Sequence, residues 1–278
     1  MESYIDLHTH STASDGSMTP VELVRHAFAK GLGALAITDH DTLSGAGQAV
    51  AEGKRLGIEV VPGVEISVSF NPEMHLLGYF LSGEYSAIQD TLEDLRRKRE
   101  ERNPRIIQRL NELGFDITLS EANGLAAGGN IGRPHIARVL VNKGYVASVE
   151  EAFDKYLASG RPAYFKKEKL TPEEGIHEIA KAGGIPVLAH PIYLGLDDIQ
   201  LDHLLGHLKE AGLRGMETLY SENTEKQTAE LLRLAQKHKL LVTGGSDFHG
   251  SFKPHIEIGS GRGALKIPYA LLSALKQA

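Results

Sequence analysis

The 278-residue chain has no cysteine. Disulfides, thiolate metal sites, iron–sulfur clusters and cysteine nucleophiles are therefore excluded. No apolar run reaches the ~18 residues that a bilayer span requires. The opening Met1-Glu2-Ser3-Tyr4-Ile5-Asp6 has neither the basic nor the apolar stretch of a secretory signal. The expectation is a soluble, cytoplasmic protein without a membrane partner. Positive charge is not in excess either: 30 Lys and Arg face 36 Asp and Glu, a formal net charge of −6. That excludes a global basic field for gathering nucleic acid, but not a local patch. There is no G-x-x-x-x-G-K-[ST] loop, which argues against a nucleoside triphosphatase. Gly244-Gly245-Ser246-Asp247-Phe248 lacks the second glycine of a nucleophile elbow.

What is present is a globular composition. Apolar residues make up 41% and charged residues 24%, near the usual roughly 45–50% and 25%. At ~150 residues per domain, the length suits one large domain or one domain with an insertion. Glycine, 30 of 278, is above the usual ~7% and suits many tight turns.

Short apolar runs alternate with helical patterns. Tyr4–Leu7 reads as a strand. Thr19-Pro20-Val21-Glu22 is a capping box that opens a helix ending at Gly31. Ala34–Thr38 is a second strand, Leu43–Leu56 a second helix. Ile58–Val61 and Val64–Val68 form a third strand interrupted by Pro62-Gly63, and His75–Leu81 a fourth. From Gly83 to Gly184 the pattern is mostly helical. Helices are expected at Ile88–Leu113, with a kink at Pro104, and at Pro134–Lys143, Val149–Ser159 and Pro172–Ala182. The alternation then resumes with strands at Ile185–Ala189, Gly215–Leu219 and Leu240–Thr243. Their helices are Ile199–Ala211, Thr224–Lys239 and Leu271–Gln277. This order predicts a mostly parallel sheet. A barrel with a helical insertion accounts for it better than an open sheet. The division is a barrel of residues 1–82 and 185–278 and a helical cap of residues 83–184.

In such a barrel, function collects on loops after the strands. His8, His10 and Asp15 follow the first strand, and His40 the second. Glu65 lies in the third, and His75 opens the fourth. His190 follows Ala189, and Asp247 and His249 follow Thr243. His-x-His on an extended segment points both rings to one face. Imidazole and carboxylate without thiolate suit manganese, iron or zinc. Nine candidate ligands are too many for one ion and suggest two or three divalent metals. The remaining histidines read as structural. His26, His177 and His238 lie on helix faces, and the pair His203 and His207 lacks an acidic third ligand. The pattern does not place His255.

The basic run Arg96–Arg109 reads mainly as a solvated helix face with i,i+4 pairs. Arg99 and Arg102, one turn apart, could instead lie over the metal site with Arg133 and fork onto a second, uncleaved phosphate. Tyr145, Tyr156, Tyr164, Tyr193 and Phe248 are candidates for stacking a base.

The motifs resemble those of the PHP (polymerase and histidinol phosphatase) superfamily. They are His8-Thr9-His10-Ser11, Ser14-Asp15-Gly16, Ile37-Thr38-Asp39-His40-Asp41, Pro62-Gly63-Val64-Glu65, Ala189-His190-Pro191 and Gly245-Ser246-Asp247-Phe248-His249. The resemblance implies a distorted seven-stranded β/α barrel (α/β class) with a helical cap. It places His8, His10, Glu65 and Asp247 on one metal. Glu65 bridges to a second, held by His75 and His190, and Asp15, His40 and His249 hold a third. Asp247, His249 and Glu65 form the catalytic centre, and manganese is the first choice of metal.

Within the insertion, Arg99-Glu100-Glu101-Arg102-Asn103 and Ile131-Gly132-Arg133-Pro134-His135-Ile136-Ala137 resemble the cap of 3′,5′-nucleoside bisphosphate phosphatases. Some members of that group trim short RNA from the 5′ end. By this resemblance Arg99, Arg102, Asn103 and Arg133 bind substrate. The chain departs after Pro191, where Ile192-Tyr193-Leu194 replaces the group's glycine, arginine and tyrosine. The expected activity is removal of the 3′-phosphate by a metal-bound hydroxide, the lowered pKa of metal-bound water supplying the nucleophile. The expected partner is a small phosphorylated nucleotide or a 5′-phosphorylated RNA end, not a DNA duplex, and the expected state is a monomer. Histidinol-phosphate phosphatase and a non-catalytic metal-binding accessory module are the alternatives.

Overall fold

Ten helices and seven strands make up the computed structural model, which describes residues 4–80, 82–83, 85–126, 129–166 and 168–278. Met1, Glu2, Ser3 and the expected strand end Leu81 lie outside the described residues. The first half is β1 (Ile5–Asp6), α1 (Pro20–Ala29), β2 (Ala34–Ile37), α2 (Ala46–Leu56), β3 (Glu59–Val68) and β4 (Met74–Tyr79). The helical stretch is α3 (Gln89–Glu112), α4 (Leu119–Ala126), α5 (Arg133–Asn142), α6 (Val149–Ala152) and α7 (Pro172–Lys181). Then come β5 (Ile185–Leu188), α8 (Asp198–Glu210), β6 (Gly215–Tyr220), α9 (Glu225–Lys237), β7 (Leu241–Gly245) and α10 (Ala270–Leu275). No helix among the described residues is long and apolar enough to cross a membrane.

The local chemistry accounts for these boundaries. At α1, Thr19 accepts from the Glu22 amide while Glu22 reaches back to the Thr19 amide. α2 ends on Gly57 in the left-handed region, φ 79°, where a side chain would be strained. α3 runs through Pro104 as one helix. After α6 the chain continues as a π-helical turn, Phe153–Leu157.

The seven strands lie side by side in chain order. The barrel is nearly closed where β1 meets β7. The Leu7 amide donates to the Gly244 carbonyl at 3.1 Å, and the Asp247 amide to the His8 carbonyl at 2.9 Å. The expectation of a mostly parallel sheet needs one correction. β4 runs antiparallel to both β3 and β5. Only residues 69–73 join β3 to β4, whereas a parallel crossover needs a dozen or more. The reversal puts the start of β4 at the rim where other strands end, so His75 lies opposite Ser67 near the end of β3. β3 itself is continuous. Its pairing passes from β2, ending at Ile37–Pro62, to β4, beginning at Gly63–Tyr79. Pro62, which has no N–H, thus sits where the strand changes partner.

Leu92 and Leu95 of α3, together with Ile176 and Ile179 of α7, pack into the barrel's apolar core. A separate apolar cluster runs from Ile106 to Ala163 and is the cap's own core. The ends of the helical stretch are thus built into the barrel wall.

Gly245 lies against His8 at the β1–β7 seam, where a Cβ would come 2.1 Å from the His8 Cβ. We expect Gly245→Ala to cost about 2–3 kcal/mol through forced separation of these strands. It should be read as a lower midpoint in denaturant unfolding. An unchanged midpoint would show that the seam is not packed this way.

Candidate metal centre

All nine residues expected to ligate metal converge at one rim. Glu65 is buried at its centre. Its Oε1 lies 2.8 Å from both His75 Nδ1 and His190 Nε2. Its Oε2 lies 3.1 Å from His40 Nδ1, 3.2 Å from His10 Nε2 and 3.4 Å from His8 Nε2. Asp247 Oδ1 is 3.3 Å from His10 Nε2 and 3.4 Å from His249 Nδ1. Asp15 lies 3.4 Å from His249 Nε2 and 3.6 Å from His40 Nε2.

Three sets of donors each come close enough to share one ion. They are His10, Asp15, His40 and His249; His8, His10 and Glu65; and His40, Glu65 and His75. The first is the expected set with His10 added, and the second is the expected set without Asp247. The third pairs His75 with His40 and leaves out His190, which lies 2.8 Å from the same Glu65 oxygen as His75.

The protons that these side chains attract show what the centre requires. Burial would raise the Glu65 carboxyl, but His75, His40 and His8 hold it well below its ordinary value. Asp15 is held down in the same way, by His40 and His249, and Asp247 by Lys253, His249 and His8. Burial disfavours the His10 imidazolium, yet Asp247 and Glu65 lift it to about 9. Glu65 and Glu73 do the same for His75, also to about 9. Burial depresses His40 to about 3. A cluster with this appetite for positive charge suits a divalent cation, which displaces such protons on binding. The ring nitrogens agree. His8 Nε2, His10 Nε2, His40 Nδ1 and His75 Nε2 are buried without a hydrogen-bond partner, a costly arrangement that ligation would relieve.

Other residues aim these groups. Glu217 of β6 lies 3.0 Å from His8 Nδ1 and accepts from the His190 amide at 2.8 Å. Asp247 Oδ2 accepts from the Tyr220 hydroxyl at 2.8 Å and from Lys253 Nζ at 2.7 Å, leaving Oδ1 to face the histidines. Asp39 accepts from the Ser11 amide and from the Ser11 and Ser14 hydroxyls, pinning the loop that carries Asp15. Asp41, His190 and Asp247 have positive φ, of 53°, 25° and 58°. Such strained backbone outside glycine clusters at functional sites. Sequence reading missed Glu217, Tyr220 and Lys253. Glu217 did carry a signal, as the lone charged residue in the strand Gly215–Tyr220.

Two spaces adjoin the centre. A cleft of about 670 Å³ lies between rim and cap and is lined in part by Phe153, Tyr193 and Phe252. A chamber of about 180 Å³ shares Asp15, His40 and His75 with it and is walled by Arg99, Arg102, Arg133 and Lys169. Arg99 ion-pairs with Asp41, and Arg133 Nη2 donates to Glu73 at 2.7 Å. Arg102 is 7% exposed and, among the described residues, donates to the neutral Asn103 Oδ1. Asn103 does not line the chamber. Its amide donates to the Ile131 carbonyl and holds the loop before α5.

Of the other basic residues of α3, Arg96, Arg97, Lys98 and Arg109 form surface pairs, such as Lys98 with Asp94 and Arg109 with Glu112, and Arg105 lies over the Phe165 ring. Phe248 is buried in the core. Tyr145 and Tyr156 pack on Phe115 in the cap, and Tyr164 lies beside Arg133. Tyr193, which occupies the place of the resembling group's arginine, bonds to Glu222 at the cleft mouth. His207 pairs with Glu173 and His238 with Asp202 on the surface. His255 lines a small chamber behind Lys253.

The PHP domain signature matches residues 6–242. The chain belongs to the PHP domain family. It is 37% identical over 257 residues to the 5′-3′ exoribonuclease Rnm of Escherichia coli, covering 91% of this chain and 87% of that protein. It is 32% identical over 264 residues to the 3′,5′-nucleoside bisphosphate phosphatase of Chromobacterium violaceum, covering 92% and 90%. A structure from Bifidobacterium adolescentis assigned as a metal-dependent phosphoesterase superposes with a TM-score of 0.87 at 31% identity, covering 99% and 96%. This PHP protein is therefore a metal-dependent phosphoesterase.

Glu217 orients two of the candidate ligands without reaching the centre. We expect Glu217→Gln in this PHP protein to weaken divalent-metal binding by about 10–100-fold. Metal titration followed by calorimetry checks this, and unaltered affinity would remove Glu217 from the centre's support.

Proposed function

We propose that this phosphoesterase hydrolyses the 3′-phosphate of nucleoside 3′,5′-bisphosphates and trims short RNA from a 5′-phosphorylated end. The observation that carries the reading is the arginine-walled chamber opening beside His40, His75 and Asp15. A second phosphate, not the one cleaved, fits there. Arg102 supports this most directly, because a buried guanidinium with no carboxylate paired to it among the described residues is costly unless an anion completes it. The two relatives named above act on substrates of this kind, a nucleoside bisphosphate and an RNA.

His8, His10, Glu65 and Asp247 would hold one divalent ion. Glu65, His75 and His190 would hold a second, and Asp15, His40 and His249 a third, with manganese as the first choice and zinc or iron as alternatives. Bound there, the metals supply a nucleophile from water and neutralise charge on the phosphoryl oxygens. The chain's own residues do the positioning. Arg99, Arg102 and Arg133 fork onto the uncleaved phosphate and fix its distance from the reacting one. Tyr220 and Lys253 hold Asp247 with one oxygen turned to the centre. Phe153, Tyr193 and Phe252 wall the cleft in which the nucleoside would lie. Histidinol phosphate, with a single phosphate, would leave the chamber's cations without a partner.

Manganese-loaded protein should release phosphate from adenosine 3′,5′-bisphosphate, and Asp247→Asn should abolish release. Arg102→Met should lower kcat/KM for the bisphosphate by about tenfold or more, as loss of a charged hydrogen bond implies. It should act far less on a substrate with the 3′-phosphate alone. No release by metal-loaded protein, or equal losses on both substrates, would sink the bisphosphate reading.

A further inference from the structure

We infer that Lys169 is a specificity-determining residue that, through Glu73, sets the charge of the arginine-walled chamber to match a terminal, dianionic phosphate monoester. The inference rests on the reading that this chamber seats the uncleaved phosphate, and it goes on to say which phosphate.

Glu73 lies in the short connection between β3 and β4, with its carboxylate between Arg133 and Lys169. Without Lys169, Glu73 would cancel Arg133. Lys169 comes from the segment leading into α7, and its side chain is only 13% exposed. By sharing Glu73 it leaves the Arg133 charge available. Arg99 is offset by Asp41. Among the described residues, outside the metal-binding set, Arg99, Arg102, Arg133 and Lys169 thus face Glu73 and Asp41. The surplus is two positive charges.

A terminal phosphate monoester, with a second pKa of about 6, carries close to two negative charges at neutral pH. An internal diester carries one. Charge left unmatched in a buried chamber is costly, so a surplus of two selects the monoester. Size points the same way. The chamber, at about 180 Å³, is much smaller than the adjoining cleft of about 670 Å³, which leaves the nucleoside to the cleft. The chain end of a nucleotide would therefore enter the chamber, and an internal linkage would not.

The test uses metal-loaded full-length protein and two ligands without a 3′-phosphate, adenosine 5′-phosphate and its 5′-methyl ester. They differ in charge by one, and neither carries the 3′-phosphate that the proposed reaction removes, so binding is read by calorimetry. Wild type should favour the dianion by about tenfold or more, the scale of one charged hydrogen bond. Lys169→Met should bring that ratio toward one, and Lys169→Arg should keep it. The double variant Glu73→Gln/Lys169→Met restores the surplus of two and should recover the preference, a result that mere scaffolding would not give. An unchanged ratio in Lys169→Met, or no recovery in the double variant, overturns the inference. If wild type shows the ratio yet releases no phosphate from the bisphosphate, the substrate reading falls and the chamber's selectivity stands.

Discussion

A carboxylate ringed by imidazoles on both oxygens is electrostatically unfinished. Glu65 is in that position, with five histidines within 3.4 Å of its two oxygens. Three buried carboxylates and six imidazoles can be neutralised by protons, but only by charging rings whose burial opposes it. Divalent cations meet the same demand without that penalty. Much of the barrel serves this point. The β1–β7 seam brings His8 and His10 to Asp247, and the reversed β4 brings His75 to Glu65. Strained backbone at His190 and Asp247 is tolerated because Glu217, Tyr220 and Lys253 hold those segments from behind.

The cap adds recognition to that chemistry. One turn of α3 places Arg99 and Arg102 toward the chamber, while their neighbours pair off in solvent. Both ends of the helical stretch are anchored in the barrel core, at Leu92 and Leu95 and at Ile176 and Ile179. The guanidinium groups are therefore referred to the same framework as the metal-binding rim. On the proposed reading, that is the condition for two phosphates of one substrate to be read together.

The fold class was legible because strand and helix periods alternate and because caps such as Thr19-Pro20-Val21-Glu22 mark helix starts. The convergence of nine polar residues was legible because most of them lie at, or a few residues beyond, a strand end. The reversal of β4 was written in the five-residue gap after Val68, but the strand–helix rhythm outweighed it. α4 was overlooked although Thr118 and Glu121 form the same reciprocal cap as α1. Asn103 shares a motif with Arg102 yet turns to the backbone of Ile131, which is a matter of rotamer and not of pattern. Glu217, Lys253, Glu73 and Lys169 act through contacts between distant segments, and no local spacing announces such partners. Phe153 and Phe252 line the cleft where Phe248, nearer in sequence to the ligands, is buried.

The connection of residues 69–73 carries more than a change of strand direction. It delivers Glu73 to the arginine-walled chamber and His75 to the metal-binding rim, two positions apart on one short piece of backbone. It therefore works as a ruler. On the proposed reading, the spacing between the place where one phosphate is gripped and the place where another is cut is held by five residues of chain. Lengthening that connection would leave both ends of the ruler intact and detach its scale. A relative with a longer link here would be built to measure a different substrate.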